Sequence, residues 1–167
     1  MCAVQAANSN VRQNALHLFL DLFPLEDPDV TKEVKDTLLD KQFFLLERLL
    51  LDDCPDVRAV AVEGSCRILN LFWEVIPSSV ITKILTKIID CMSHDTCNEV
   101  RLSTVNGIIY LLENPQDHEI MKVLLPRLGC MFSDPTLSVR IAVTDLLLAI
   151  RDIRTFQFNK VWLLNCV

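Results

Sequence analysis

Apolar residues follow four fixed points in this chain at offsets of about four, seven, eight and eleven, the spacing of one face of an α-helix. The fixed points are Val11-Arg12, Val57-Arg58, Val100-Arg101 and Val139-Arg140. The first set reads Val11, Ala15, Leu18, Phe19 and Leu22, and the second Val57, Ala61, Gly64, Ile68 and Phe72, with Ser65 on one rung. The third is Val100, Thr104, Gly107, Ile108 and Leu111, and the fourth Val139, Val143, Leu146, Leu147 and Ile150. Small residues at Ala15, Ala61, Gly64, Thr104 and Gly107 let a neighbouring helix approach closely.

Another amphipathic helix is predicted before each of the last three. Residues 31–51 carry Val34, Leu38, Leu45, Leu46, Leu49 and Leu50, and residues 78–92 carry Ile81, Ile84, Leu85, Ile88 and Met92. Ser78 or Ser79 is the expected N-cap of the latter, after Pro77. Residues 117–132 carry Ile120, Leu124, Leu128 and Met131, with Pro126 expected to bend the helix. Pro24, Pro28, Pro55, Pro77, Pro115 and Pro135 fall between elements. The order is helix A, tight turn, helix B, linker, repeated.

From Arg12 to Arg58, Arg101 and Arg140 the steps are 46, 43 and 39 residues, the period of HEAT or armadillo units. An aspartate stands six residues before the arginine in the last three copies, at Asp52, Asp95 and Asp134. A polar residue (Asn10, Asp56, Glu99 or Ser138) precedes each valine. The fold expected is all-α, an α-solenoid of about three and a half such repeats. The array occupies 1–154, with units at about 1–24, 29–74, 77–114 and 116–153, and 155–167 form a C-terminal tail or partial helix. The first B helix lacks its A helix and shows no polar cap at Leu16, Leu18, Phe19, Leu20 and Leu22, so the chain reads as a segment of a longer array.

Composition narrows the function classes. Three glycines and seven prolines in 167 residues are too few for an all-β domain. The most apolar stretch, 43–51, is interrupted by Glu47 and Arg48 and is far short of a membrane span. No basic start followed by an apolar run marks a secretory signal. Seven cysteines at irregular positions (2, 54, 66, 91, 97, 130 and 166) suit a reducing compartment. A net charge of −6 opposes unaided binding to nucleic acid.

Candidate chemistry is sparse. Cys91-x-x-His94-x-x-Cys97 is the one metal-like cluster, and it lacks a fourth ligand at zinc spacing, so a polar turn is the favoured reading and no metal or cofactor is expected. Ser93 or Ser103 with His94 and Asp95 carries no signature of an oxyanion site. Gly64, Gly107 and Gly129 are too scattered to cradle a phosphate, and no enzyme activity is expected. Lys83, Lys87, Arg151 and Arg154, with Lys122, Arg127 and Lys160, are candidates for a DNA-facing rim within an assembly, weighed against a solvated helix face. Phe43, Phe44, Trp73, Phe156 and Trp162 read as core or packing between units, with one or two available to an extended peptide.

The block Asp-x-x-x-x-Val-Arg followed by small and apolar residues resembles the HEAT motif. The strings QAANSNVRQNALHLFLDLFPLEDPD (5–29), LLLDDCPDVRAVAVEGSCRILNLFWEVIPSSVITKIL (49–85) and FSDPTLSVRIAVTDLLLAIRDIRTFQF (132–158) are similar to the HEAT region of the G-type subunits of condensin II. The resemblance runs to about residue 160. It implies a polar ladder between successive repeats made by Asp52, Asp95 and Asp134 with Arg58, Arg101 and Arg140; Arg12 lacks a matching aspartate because Ala6 stands there. It also implies a nuclear, non-catalytic subunit that binds the kleisin and works with SMC ATPases in mitotic chromosome condensation. HEAT scaffolds of the nuclear-transport or phosphatase type, and a DNA-binding solenoid, are the alternatives; they differ in partner rather than fold.

Overall fold

Seven α-helices, joined by short 3-10 segments, make up the described residues, 3–154 and 156, of the computed structural model. They are α1 (Ser9–Asp21), α2 (Lys32–Leu49), α3 (Pro55–Phe72), α4 (Ser78–Asp90), α5 (Asn98–Leu111), α6 (His118–Leu124) and α7 (Leu137–Asp152). The all-helical expectation holds. Helices α1, α3, α5 and α7 stack in one layer, with α2, α4 and α6 in the other. The expected tail, including Lys160 and Trp162, lies outside the described residues apart from Phe156, which is buried.

Local chemistry explains where the elements stop. Pro55 opens α3 at a position whose N–H is not needed by the helix. Helix α4 begins at Ser78, but Pro77 occupies the N-cap position, so neither Ser78 nor Ser79 caps it as expected. The segment expected as one bent helix over 117–132 is instead α6 followed by a 3-10 helix, Leu125–Ser133. Pro126 has no N–H to give the carbonyl four residues back, and its ring crowds that carbonyl, so the α-helix stops at Leu124. A tighter helix carries the chain on, still burying Leu125, Leu128 and Met131.

The core runs between the two layers as one continuous cluster. Val57, Ala61, Val100, Thr104, Ile108, Leu111, Val139, Leu146 and Ile150 are fully buried, on the faces the periodicity marks. The first copy differs. Leu16, Phe19 and Leu20 are buried, whereas Val11, Leu18 and Leu22 are 44%, 64% and 62% exposed. The short 3-10 segment Ala3–Gln5 packs against α1 where α3 has a full A helix, and Leu18 and Leu22 are left lining an open groove with Leu38 and Leu45 of α2. Phe23 instead anchors the loop after α1, with its ring 5.5–5.9 Å from those of Phe19, Phe43 and Phe72. The buried Gln42 side chain pins the same loop, accepting from Leu25 N–H at 2.7 Å and donating to Leu25 C=O at 3.0 Å. Phe43 is core, while Phe44 is 60% exposed.

Close approach of the B-type helices depends on two glycines. A Cβ at Gly107 would stand 2.6 Å from Cys66 Sγ and 3.2 Å from Cys66 Cβ, so the α3–α5 contact has no room for a side chain there. At Gly64 the same atom would meet the Leu20 side chain of α1.

Candidate functional site

The turn between each A and B helix carries an aspartate at the same position (Asp52, Asp95 and Asp134, with Asp53 also in the first turn), and the first turns of each B helix carry one arginine. Asp52, Asp95 and Asp134 each accept from the N–H two residues on (Cys54, Cys97 and Thr136) at 2.8–2.9 Å, which shapes the turn into the next helix. The arginines reach backward and forward at once. Nη1 of Arg12, Arg58, Arg101 and Arg140 donates to the carbonyl six residues earlier, at 2.6–2.8 Å. Nε and Nη2 of the first three then grip the aspartate of the following unit. Arg12 holds Asp52 at 2.8 and 2.7 Å, Arg58 holds Asp95 at 2.7 and 2.8 Å, and Arg101 holds Asp134 at 2.6 and 3.0 Å.

These are bidentate, charge-assisted pairs, the geometry for which a planar guanidinium is suited. The side chains of the Arg101–Asp134 pair are only 10% and 5% exposed. The hydrogen bond from Arg101 holds the Asp134 carboxyl below the ordinary carboxylate range, against the opposing effect of burial. For Asp52 and Asp95 burial is the largest single influence and pushes upward. The guanidinium bonds, the backbone N–H and the nearby arginine charges together outweigh it, and both carboxyls also end low.

The pairing runs one unit forward, which changes the expectation for two residues. Arg12 is paired, with Asp52, although Ala6 stands where its own unit's aspartate would be. Arg140 is the member with no carboxylate partner among the described residues; its Nη1 is held by Asp134 C=O. The step in register could not be read from spacing, because within-unit and between-unit pairing have the same period along the chain.

A second, more exposed set of polar contacts links the B-type layer. Arg67 meets Asp21 at 3.1 Å, Ser103 donates to Glu63 at 2.7 Å, and Asn70 Nδ2 donates to Tyr110 C=O at 3.0 Å. The candidate rim cations are scattered. Lys83 and Lys87 of α4 both face Glu47 of α2, at 2.7 and 3.9 Å, and Arg151 lies beside Asp152 at 3.0 Å. Arg127 pairs with Asp90, Lys122 pairs with Glu119, and Arg154 is exposed. Lys160 is outside the described residues.

Ser93, His94 and Asp95 do not assemble into a relay. The Asp95 carboxylate is committed to Arg58 and to Cys97 N–H, while Ser93 Oγ donates to Ile89 C=O and lies 2.8 Å from His94 Nδ1. His94 Nε2 is 3.3 Å from Cys130 Sγ, and no group of three or more His, Cys, Asp or Glu side chains is placed to hold a metal among the described residues. No helix among them is long and apolar enough to cross a membrane. One titratable residue escaped sequence reasoning. Asp117, before α6, is fully buried with neither oxygen hydrogen-bonded and His118 Nε2 4.0 Å from Oδ1, and burial pushes its carboxyl up to about 8. An aspartate beside a helix start ordinarily reads as a solvent-facing cap, so nothing in the local sequence marks it.

No family model matches the chain, and no solved structure matches it. Similarity is found to proteins named "Condensin-2 complex subunit G2". The chain is 41% identical over 160 residues to that of Danio rerio, 37% over 159 residues to that of Xenopus laevis and 35% over 159 residues to that of Homo sapiens. Each match covers 95% of this chain and 14% of the relative, so the chain spans a small part of the length of the relatives it matches. Identity at this level along nearly the whole chain makes it a homologue of one segment of Condensin-2 complex subunit G2.

Proposed function

We propose that this chain is a non-catalytic scaffold segment of a condensin II subunit, whose stacked helices help to hold the kleisin subunit and, through it, the SMC ATPases in chromosome condensation. The carrying observation is similarity of 35–41% to Condensin-2 complex subunit G2 along nearly the whole chain. The architecture supports it: a two-layer helical stack riveted at one edge by repeated arginine–aspartate pairs offers an extended surface with a fixed spacing between units. The place of work is the nucleus, on chromosomes. DNA contact belongs to the assembled complex, since this segment carries a net charge of −6 and the Lys83 and Lys87 side chains already face Glu47. Tagging the full-length subunit that contains this segment, in dividing cells, is expected to recover the condensin II kleisin and SMC subunits by mass spectrometry. Recovery of transport cargo or phosphatase subunits in their place would assign the solenoid to another scaffold class.

A further inference from the structure

A 3-10 helix turns once in about three residues, so within Leu125–Ser133 Arg127 and Cys130 fall in line along one edge. Arg127 pairs with Asp90 at the end of α4. One turn on, the Cys130 thiol meets His94, the last residue of the short 3-10 segment Met92–His94 that follows α4. Cys130 and His94 are both exposed.

The bonds around His94 fix which ring nitrogen carries the proton. Ser93 Oγ–H donates to Ile89 C=O, so the same oxygen is left to accept from His94 Nδ1–H, 2.8 Å away. In the neutral imidazole Nε2 then carries the lone pair, and it faces Cys130 Sγ at 3.3 Å. A nucleophile, a base within reach of its proton and a third group that orients the base are the parts of an activated thiol. No third His, Cys, Asp or Glu is placed to turn the pair into a metal site among the described residues. Cys66 stands at the other extreme: it is fully buried, and burial pushes its thiol up to about 12.

We propose that Cys130 is a thiol-modification site, primed by His94 for exchange with a low-molecular-weight disulfide. Nε2 of His94 takes the Sγ proton as the sulfur attacks one sulfur of the disulfide. The new bond to Cys130 Sγ forms while the S–S bond of the reagent breaks, and the departing thiolate takes the proton back from His94. Cys130 is oxidised to a mixed disulfide, and the other half of the reagent leaves reduced, as a free thiol. The site is independent of the scaffold role.

The probe is oxidised glutathione, added to the full chain, with mixed disulfide followed at each cysteine by peptide mass spectrometry. Cys91 is exposed as well and serves as the control within the same molecule. Cys130 is expected to react about tenfold faster than Cys91. His94→Ala is expected to remove that advantage and to leave the Cys91 rate as it was. Free imidazole added to this variant should restore the Cys130 rate in part, and raise it more than that of Cys91, a rescue that a merely structural histidine would not show. Equal rates at Cys130 and Cys91 in the unaltered chain would overturn the proposal without recourse to any variant. A Cys130 rate untouched by His94→Ala, or lowered by it and not rescued by imidazole, would overturn it too.

Discussion

Arg101 and Asp134 compress most of the ladder's logic into two side chains. Both are nearly buried, so removing one leaves the other as an uncompensated charge, whereas removing both leaves two neutral groups. Arg101→Ala is expected to cost about 3–5 kcal/mol in urea unfolding, with the Asp134→Ala double variant losing less than the sum of the single changes. Arg101→Lys should recover little, since an ammonium cannot hold two carboxylate oxygens and the Asp95 carbonyl together. The depressed Asp134 carboxyl contributes stability that is complete above the unfolded value of about 4 and is lost as pH falls through the lower folded one. Asp117 acts in the opposite direction. Its folded value of about 8 lies above the unfolded one, so the native state keeps a proton that the unfolded chain has released. Stability therefore declines as pH rises from about 4 to about 8, with a limiting slope of about 1.4 kcal/mol per unit. Asp117→Asn is expected to flatten that decline and to raise the urea midpoint most at the alkaline end. The periodic arginines and aspartates were legible in the sequence because they repeat. Asp117 was not, because it occurs once and its burial is imposed from elsewhere in the fold.

At the scale of elements, the B-type helices were the most readable, since their apolar ladders continue for three turns and face two neighbours. Their packing distance rests on what is missing from Gly64 and Gly107. Gly107→Val puts a Cβ 2.6 Å from Cys66 Sγ and 3.2 Å from Cys66 Cβ; the sulfur can turn about χ1, but Cβ is fixed to the α3 backbone, so relief of the contact requires the two helices to part. The expected loss is about 1–3 kcal/mol, read as a lower denaturation midpoint, and Cys66→Ala on the same background should return part of it. The A-type helices were less legible. Residues 117–132 have the apolar period of one helix, and Pro126 was expected to bend it. What spacing could not express is that a missing N–H lets the backbone change to a tighter helix while Leu128 and Met131 stay in the core. The outward turn of Val11, Leu18 and Leu22 was equally hidden. A hydrophobic period specifies a face, but only a neighbouring helix covers it.

Across the whole molecule, stability is approximately a sum of units and of the junctions between them. The central helices α3 and α5 each have B-type neighbours on both sides, whereas α1 and α7 each have one among the described residues. Hydrogen exchange at equilibrium should therefore open α1 and α7 at lower free energy than α3 and α5, in at least two kinetic groups. A single uniform opening would show that the stack unfolds as one cooperative block. The strongest polar links between units, the three bidentate pairs, all lie where A turns into B. Links at the opposite edge, such as Asn70 with Tyr110 and Gln116 with Glu74, are exposed and carry less charge. A spine ligamented along one side bends by parting the other. Pulled or wrapped by a partner, this stack would flex about the arginine line as a spring-hinge, keeping its pitch there and changing curvature by opening and closing the edge where B runs into A.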